Sequence, residues 1–210
     1  MMGMPGVGKG TFAKLLSRDY NIPAISLGDE IRGILKGQEE TLPPKFKQIR
    51  KIVNSGALID DNLAFDILQT RLAMDDCSKG FILDGYPRTV PQADILFENK
   101  VDIDLVLYLV QNEDVITQKL LGRRNCEKCG EGFNVAKIES PGYNLPPLPP
   151  SPCFNCDLGG PKLVERQDDN ETTIRSRIFE YNVKTKPLVE YFENKGIMME
   201  YEAFEGIGGY

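Results

Sequence analysis

Residues 3–11 of this 210-residue chain read GMPGVGKGT, a glycine-rich run that leads into an amphipathic segment. Glycine lacks Cβ, so its backbone reaches positive φ and lets successive N–H groups approach an anion. Lys9 adds a mobile positive charge. Residues 11–17 are helix-like, so a bound phosphate would lie at a helix N-terminus. The run is typical of a phosphate-binding loop rather than of a glycine-rich surface turn.

The loop departs from the general pattern at one position. That pattern places Ser or Thr directly after the lysine, whereas this chain has Gly10 there and Thr11 next. A loop of this kind normally follows a buried strand, and only Met1 and Met2 precede it. Either the first strand is missing or the sheet is built without it, and we favour the first interpretation. We also expect a last helix beyond the final strand to be missing.

The composition limits the possible partners. A formal net charge of −6 and a pI near 4.9 argue against nucleic acid and against an anionic membrane. The absence of histidine excludes imidazole general-base chemistry and histidine-ligated metals. No apolar run approaches the roughly 20 residues of a membrane span, and no signal peptide precedes the loop. We expect an intracellular protein, cytoplasmic or organellar (mitochondrial or plastid) if an upstream targeting peptide has been lost.

Strand-like and helix-like segments alternate along the chain. Apolar strand candidates occur at residues 22–27, 80–85, 104–110 and 197–201. The segments between them predict helices, among them a basic helix through Phe46 and a helix from Glu113 to Leu121. This alternation, starting with the glycine-rich loop, predicts an α/β fold with a doubly wound parallel sheet and helices on both faces.

Asp84 ends one of the apolar runs. An apolar run that ends in a carboxylate fits a buried parallel strand with Asp84 at its C-terminal end. In proteins with a phosphate-binding loop, such a carboxylate faces the Mg²⁺-phosphate group. The alternative is an aspartate that only caps a turn.

Two Cys-x-x-Cys pairs bracket a segment rich in Pro and Gly. The pairs are Cys126 with Cys129 and Cys153 with Cys156, and this spacing predicts a structural zinc ion held by four thiolates. The segment looks too polar to bury a core of its own, so a metal could replace one. Two disulfides or four unrelated thiols are the alternatives, and disulfides are not expected in an intracellular nucleotide enzyme. Cys77 stands apart as a reduced thiol.

Arginines flank the cysteine segment on both sides, at Arg123, Arg124, Arg166 and Arg177. Surface arginines are ordinarily solvated or weakly paired. In a net acidic chain, this set is better explained by phosphate binding, because guanidinium groups match phosphate oxygens.

Taken together, these residues resemble the adenylate kinase family over essentially the whole chain. The resemblance rests on the loop at 3–11, on Gly28-Asp29-x-x-Arg32, and on the run from Phe81 through Asp84-Gly85-Tyr86-Pro87-Arg88 to Gln92. It extends to Gly122-Arg123-Arg124, to Arg166-x-Asp168-Asp169 and to Arg177. The long zinc-type segment looks most like that of the plant organellar members.

The resemblance implies reversible Mg²⁺-dependent phosphoryl transfer from ATP to AMP, giving two ADP. It implies a CORE of residues 1–25, 59–122 and 167–210, an NMP-binding subdomain at 26–58, and a LID at 123–166 that holds the zinc. The two subdomains would close over the substrates. The implied partners are ATP, AMP and ADP, without nucleic acid or membrane, and the expected state is a monomer.

The resemblance also assigns roles by matched position. Catalytic residues would be Lys9, Asp84, Arg88, Arg123, Arg166 and Arg177. ATP would contact Gly6, Val7, Gly8, Lys9, Gly10, Thr11, Lys119, Arg123, Gly132, Phe133 and Gly208. AMP would contact Leu27, Arg32, Ala57, Leu58, Ile59, Gly85, Tyr86, Pro87, Arg88, Gln92, Arg166 and Arg177. The metal ligands would be Cys126, Cys129, Cys153 and Cys156.

Two positions depart from the family pattern. Leu27 replaces the usual Thr against the acceptor base, which weakens the expectation of strict AMP preference. Lys119 replaces an Arg that stacks on the donor base, which suggests weaker ATP binding. A GTP:AMP phosphotransferase and a UMP/CMP-type kinase are alternative enzymes. An inactive nucleotide-binding form is the alternative outside enzymes.

Overall fold

The computed structural model describes residues 1–36, 49, 59–128, 130, 132–148, 162–166 and 169–206. The chain divides into two compact units. The first unit contains Met1–Met2, Lys9–Leu107 and Lys184–Met199. The second contains Gly3–Gly8, Tyr108–Val183 and Glu200–Tyr210. The three-part division implied by the resemblance stays a prediction, because most of residues 37–58 lie outside the described part.

Helices and strands alternate along the described chain. The helices are α1 (Lys9–Tyr20), α2 (Leu27–Lys36), α3 (Asp61–Leu72), α4 (Val90–Glu98), α5 (Glu113–Leu121), α6 (Glu171–Glu180) and α7 (Pro187–Asn194). The strands are β1 (Met2–Gly3), β2 (Ala24–Ser26), β3 (Ile82–Asp84), β4 (Val106–Val110), β5 (Arg123–Cys126), β6 (Gly132–Asn134), β7 (Ile138–Ser140), β8 (Tyr143–Leu145), β9 (Leu163–Val164) and β10 (Met198–Glu202). A 3₁₀ turn covers Asp75–Cys77, and a π-helical turn covers Tyr181–Thr185.

Side-chain caps start several of these helices. Asp60 caps α3 by accepting from the N–H groups of Asn62 and Leu63, both at 3.0 Å. Thr89, Asn112 and Asn170 cap α4, α5 and α6 in the same way. Such caps satisfy N–H groups that the helix leaves unpaired, and they fix where each helix begins.

Strands β2 and β3 pair in parallel within the first unit. Their register aligns Ala24 with Ile82 and Ser26 with Asp84. Ile25 and Leu83, at the centre of the pair, are buried in a cluster that includes Phe65 of α3 and Leu96 of α4, among others. The predicted α/β class with parallel pairing is therefore confirmed. The carboxyl ends of β2 and β3 coincide at Ser26 and Asp84.

A further sheet has the strand order β1-β4-β10. Met2 and Gly3 form β1, so the expectation that the first strand is missing was wrong for these two residues. They pair despite their small number, since β4 offers a partner strand beside them. The expectation of a missing last helix stays a prediction, because residues 207–210 lie outside the described part.

The cysteine segment folds into small antiparallel sheets in the second unit. Their strand orders are β6-β5-β9 and β7-β8. In its described part, Ile138 and Leu145 are buried against Val115 of α5, so this cluster is shared with a helix outside the segment, and the expectation that the segment buries no core of its own stays a prediction. The segment takes its apolar contacts from a neighbouring helix, which its own composition does not reveal.

Other sequence predictions can be compared with these bounds. The helix expected over 113–121 has those ends, whereas the strand expected over 22–27 is shorter and Leu27 already belongs to α2. The basic helix expected around Phe46 lies largely outside the described residues. Within the described ranges, we find no helix with both the length and the apolar character needed to cross a bilayer.

Candidate active site

The glycine-rich loop is held in a tight turn in the second unit. The N–H of Val7 donates to the carbonyl of Met4 at 3.3 Å, and Val7 is fully buried. Gly6 has φ +87°, and a Cβ at this position would lie 2.6 Å from Cγ of Leu120. Because an L side chain rarely adopts this backbone and has no room here, the loop requires glycine at residue 6.

Lys119 ties this loop to α5. Its Nζ donates to the carbonyl of Val7 at 2.8 Å and to Oε1 of Gln111 at 2.7 Å. Gln111 is buried, and its Nε2 donates to the carbonyl of Ala203 at 2.6 Å. Burial lowers the pKa of Lys119 from 10.5 to about 8. The side chain that the resemblance assigns to the ATP base is thus hydrogen-bonded to the loop itself.

In the first unit, α1 begins at Lys9, and Gly10 lies against the end of β3. A Cβ at Gly10 would lie 3.2 Å from Oδ2 of Asp84, which is closer than most side-chain contacts. The Asp84 carboxylate therefore packs over backbone that carries no side chain. Thr11, one residue further along α1, is exposed. Glycine in place of the usual Ser or Thr at residue 10 lets this carboxylate approach the backbone closely.

This arrangement fits a magnesium ion. Mg²⁺ bound with phosphates usually takes one or two carboxylates and keeps several waters. Asp84 supplies the carboxylate, close to the start of α1 where the glycine-rich loop ends. The residues present are therefore compatible with the Mg²⁺ that accompanies ATP.

Residues 85–92 form a hydrogen-bonded strip directly after Asp84. Nε of Arg88 donates to the carbonyl of Gly85 at 2.8 Å, and Gly85 has φ +74°. The backbone N–H of Arg88 donates to Oε1 of Gln92 at 2.8 Å. Nε2 of Gln92 donates to Oδ1 of Asp61 on α3 at 2.7 Å. The strip is thus fixed both to itself and to a neighbouring helix.

Tyr86 anchors the strip in the core. It is 3 % exposed, and its hydroxyl has no hydrogen-bond partner among the described residues. Burial, followed by the negative charge of Asp61, raises the pKa of this hydroxyl to about 12. The peptide bond between Tyr86 and Pro87 is cis.

The remaining acceptor-side residues belong to α2 and to the segment before α3. Arg32 forms an exposed ion pair with Asp29, one turn earlier on α2. The first unit has two apolar clusters, the one around Ile25 and Leu83 and a second formed by Ile49, Leu63 and Ile67. Leu27 and Ile59 are partly buried, and both pack against the two clusters. The predicted contacts at Ala57 and Leu58 lie outside the described residues.

The arginines of the second unit gather around Asp169, whose side chain is 2 % exposed. Arg123 donates to both carboxylate oxygens, from Nε at 2.7 Å and from Nη2. Nη1 of Arg177 lies 3.9 Å from the same carboxylate. Nε of Arg166 donates to Oδ1 of Asn125 at 2.8 Å. Three predicted phosphate-binding arginines are therefore oriented by short polar side chains.

Cys126 begins a tight turn at the end of β5. Its carbonyl accepts from the N–H of Gly130 at 2.9 Å, and Asn125 Nδ2 donates to the carbonyl of Gly130 at 2.8 Å. Cys126 is buried beside Phe133. In the described ranges, no three potential metal-ligating side chains come together. The predicted ligands Cys129, Cys153 and Cys156, and the predicted ATP contact Gly208, lie outside those ranges.

The predicted residues fall into two sets, one in each unit. In the first unit, the set is Lys9, Gly10, Thr11, Leu27, Arg32, Ile59, Asp84, Gly85, Tyr86, Pro87, Arg88 and Gln92. In the second unit, it is Gly6, Val7, Gly8, Lys119, Arg123, Cys126, Gly132, Phe133, Arg166 and Arg177.

Three polar residues that orient these sets have no role in the sequence-based predictions. They are Asp61, Gln111 and Asp169. Each hydrogen-bonds a residue far away in the sequence: Asp61 and Gln92 are 31 positions apart, Gln111 and Ala203 are 92 apart, and Asp169 and Arg123 are 46 apart. Local sequence patterns therefore do not predict these contacts. The one usable hint was Asp60, because a capping aspartate directly before Asp61 leaves the second carboxylate without a capping task.

Comparison with known proteins agrees with this geometry. The family model described as "Adenylate kinase" matches residues 1–197. The chain is 42 % identical to "Adenylate kinase 1, chloroplastic" of Arabidopsis thaliana over 98 % of this chain and 72 % of that protein. It is 41 % identical to "Adenylate kinase" of Thermotoga neapolitana, over 98 % of this chain and 90 % of that protein.

A further plant relative, "Probable adenylate kinase 1, chloroplastic" of Oryza sativa subsp. japonica, is 40 % identical over 98 % of this chain and 70 % of that protein. The resemblance to plant organellar members is therefore confirmed. A match of this extent, joined to the loop, the Asp84 strand end and the Arg88 strip, shows that the chain belongs to the adenylate kinase family, whose members are nucleoside monophosphate kinases.

Proposed function

We propose that this chain catalyses reversible transfer of the γ-phosphoryl group from ATP to AMP, giving two ADP. One observation carries the proposal. Asp84, which packs over Gly10 beside Lys9, is followed directly by Gly85, whose carbonyl holds Arg88. Residues suited to a donor triphosphate therefore lie next to residues suited to an acceptor phosphate within the first unit.

On the donor side, the N–H groups of the loop and the ammonium of Lys9 bind the ATP phosphates. Phosphoryl transfer needs little covalent help from the protein, because charge neutralisation and alignment supply most of the catalysis. Mg²⁺ bound through water to Asp84 would neutralise phosphate charge. Gly10 supports this role because its missing Cβ lets the Asp84 carboxylate lie close to the start of α1.

On the acceptor side, Arg88 binds the AMP phosphate and Gln92 contacts the base. The attacking oxygen of AMP already carries negative charge at neutral pH, so no general base is needed. A chain without histidine loses nothing in this chemistry. The hydrogen bond from Arg88 Nε to Gly85 holds the guanidinium before the substrate arrives.

Arg123, Arg166 and Arg177 neutralise the transferring phosphoryl group. Asp169 holds Arg123 through Nε and Nη2, which leaves Nη1 for a phosphate oxygen. A guanidinium fixed in this way loses less side-chain freedom when it binds. We therefore assign Asp169 the task of orienting Arg123 rather than of contacting the nucleotide.

The test is steady-state turnover of ATP and AMP with Mg²⁺ by the purified chain and two variants. Lys9→Met and Arg88→Ala should each lower kcat by about a thousandfold or more, as for other removed phosphate-binding cations. Lys137→Met and Arg18→Ala are the matched controls, since both residues are exposed and each forms an ion pair with a carboxylate on the surface, Glu139 and Asp19 respectively.

Wild-type rates in either Lys9→Met or Arg88→Ala would reject the mechanism. Failure of the wild-type chain to turn over would favour the inactive nucleotide-binding form. Substituting GTP for ATP, and UMP or CMP for AMP, distinguishes the two alternative kinases.

We also propose that residues 26–58 and 123–166 close over the bound nucleotides and that the chain acts as a monomer. Closure would exclude water and so protect ATP from hydrolysis. Hydrogen exchange with and without a bisubstrate inhibitor tests closure, which predicts added protection within both ranges. Sedimentation at several concentrations tests the monomer.

The four cysteines are proposed to hold a structural zinc ion. The Cys-x-x-Cys-Gly turn at Cys126 supports it, because the hydrogen bond from Gly130 folds the segment back on itself. Four thiolates would close a tetrahedral site with no open position, so the ion would stabilise the segment without entering the reaction.

Elemental analysis should find one zinc per chain, and chelation should lower the melting temperature before it lowers AMP binding. Cys77→Ser serves as control, since the buried Cys77 belongs to the first unit. A folded metal-free chain with reduced thiols and an unchanged melting temperature would reject the zinc.

A further inference from the structure

We propose that Asp61 determines which base the acceptor site prefers, because it fixes the side-chain amide of Gln92 in one orientation. The inference rests on the proposed function, in which Gln92 contacts that base. Asp61 is then a positioning residue, because it acts on the substrate only through Gln92.

The hydrogen bonds of Gln92 fix the amide from both sides. Its Nε2 lies 2.7 Å from Oδ1 of Asp61, and its Oε1 lies 2.8 Å from the backbone N of Arg88. An ionised carboxylate can only accept a hydrogen bond, and a backbone N–H can only donate one. The amide nitrogen must therefore face Asp61, and the amide oxygen must face Arg88.

Each end of this amide keeps one hydrogen-bonding position. Nε2 carries two hydrogens, of which Asp61 takes one, and Oε1 has two lone pairs, of which the N–H of Arg88 takes one. Gln92 is partly exposed and so can reach a ligand. It thus offers one donor and one acceptor in a fixed order.

That order matches adenine and not hypoxanthine or guanine. Adenine presents an acceptor at N1 beside a donor at its N6 amine, which complements the remaining N–H and lone pair of Gln92. Hypoxanthine and guanine present N1–H beside O6, the reverse order. To bind them, the amide would have to flip, so that its NH₂ faced the Arg88 N–H and its oxygen faced the Asp61 carboxylate.

The position of Asp61 on α3 is consistent with this role. Asp60 accepts from the N–H groups of Asn62 and Leu63 and so caps the helix, which leaves the Asp61 side chain to reach α4. The hydrogen bond between Gln92 and Asp61 is partly buried, next to the buried Tyr86. In partly buried surroundings a mismatched pair of donors or acceptors is more costly than in water.

The fixed amide also bears on Leu27. The resemblance implies that this position usually carries a hydroxyl against the acceptor base, and here it is aliphatic and packs against both apolar clusters. Discrimination between bases in this chain then depends on Gln92 and on the residue that orients it.

The test compares AMP with IMP, which differ in the order of donor and acceptor at this edge. We would measure kcat/KM by turnover and dissociation constants by calorimetry for wild type, Asp61→Asn and Asp61→Glu. Asn carries both a donor and an acceptor, so it tolerates either orientation of Gln92, whereas Glu can only accept. We expect the preference for AMP over IMP to fall at least about tenfold in Asp61→Asn, and to be retained better in Asp61→Glu.

Asp114→Asn is the matched control. Asp114 also lies in the first turn of a helix, α5, so the variant removes the same charge from the same kind of position. It should keep the wild-type preference. An unchanged AMP/IMP ratio in Asp61→Asn would overturn the inference.

A second measurement uses only the wild-type chain, in case Asp61→Asn does not fold. Cytosine has the same order as adenine, and uracil has the reverse, so CMP should bind more tightly than UMP. Equal or tighter binding of UMP would overturn the inference. The proposed function fails separately: if AMP binds with the expected preference but is not phosphorylated, the assignment of Asp61 stands and the kinase activity does not.

Discussion

Gln92 and Gln111 are held in the same way but serve different ends. Each amide lies between a group that can only accept and a group that can only donate, so neither amide can flip without two mismatched contacts. Gln92 is partly exposed, whereas Gln111 is 7 % exposed. The difference in exposure decides what the fixed orientation is used for.

The surroundings of Gln111 hold the phosphate-binding loop. Its Nε2 bonds to the carbonyl of Ala203, and its Oε1 accepts from Lys119, which in turn donates to the carbonyl of Val7. This chain of three hydrogen bonds links the segment after β10 to the loop. Both ends of the Gln111 amide bind groups of the protein itself, so these hydrogen bonds position the loop. An amide held between two groups of the protein stabilises the loop where it is buried, at Gln111. Where it is partly exposed, at Gln92, the same arrangement leaves the amide able to bind a ligand, as we propose.

The largest expected effect follows from Gln92→Glu. The new carboxylate would face Asp61, with two acceptors opposed, and it could not donate to the acceptor base. We expect kcat/KM for AMP to fall by about a hundred- to a thousandfold, because a site built to hydrogen-bond its substrate is strongly impaired by an unpaired polar group. Steady-state kinetics with AMP varied, and then with ATP varied, should place the loss on AMP.

Gln118→Glu is the control for this change. Gln118 is exposed on α5, and the substitution adds the same charge. If Gln92→Glu lowered the apparent affinity for ATP as much as that for AMP, the proposed contact between Gln92 and the acceptor base would be contradicted.

The next effect concerns stability. Gln111→Leu would leave the ammonium of Lys119 and the carbonyl of Ala203 without their partner in a buried region. We expect the free energy of unfolding to fall by about 2–3 kcal/mol, the cost of leaving buried polar groups unsatisfied. In a chain of this size, the melting temperature would fall by roughly 2–4 °C per kcal/mol.

Urea denaturation of Gln111→Leu beside the exposed control Gln118→Leu provides the measurement. A loss no larger than in the control would mean that the Gln111 contacts contribute little. The AMP/IMP preference should stay at its wild-type value in both variants, which separates this glutamine from Gln92.

The sequence predicted the local parts of this architecture well. The ends of α5 follow from its capping Asn112 and its apolar spacing, and the position of Asp84 at a strand end follows from the apolar run before it. Both features depend on residues within a few positions of one another. For the same reason, the Cys126 turn could be recognised from spacing alone.

The contacts that orient the site could not be predicted in this way. Asp61 and Gln92 are 31 residues apart, and Lys119 and Val7 are 112 apart. Such pairs depend on how helices pack, and no local pattern encodes that packing. Lys119 illustrates the limit: its type suggested weak stacking on a base, whereas its ammonium contacts a loop carbonyl.

A smaller effect is expected at Lys119. Lys119→Met removes the two hydrogen bonds by which Lys119 Nζ links Val7 to Gln111, so the loop should bind ATP less well. We expect the KM for ATP to rise about tenfold, the usual scale for a hydrogen bond from a charged group, with the KM for AMP within twofold of wild type.

Lys137→Met, on the exposed surface, is the control for this change. Lys119→Arg should not improve ATP binding if the ammonium serves the loop. A lower KM for ATP in Lys119→Arg would show instead that this side chain contacts the donor base.

The smallest effect tests the titratable group beside Gln111. Burial lowers the pKa of Lys119 from 10.5 to about 8, so between these values the unfolded chain holds a proton that the folded chain has released. The free energy of unfolding therefore rises with pH in this window, while below pH 8 both states are protonated and the cost of burial is fully present.

The free energy of unfolding of the wild type should rise by about 1 kcal/mol relative to that of Lys119→Met between pH 8 and pH 9, as measured by urea denaturation at each pH. Parallel stability curves would show that the ammonium is not buried in solution. The group that donates to Gln92 is the backbone N–H of Arg88, which does not titrate in this range. The hydrogen bond to Gln92 Oε1 should therefore add no pH dependence to the free energy of unfolding, in contrast to the one from Lys119 to Gln111.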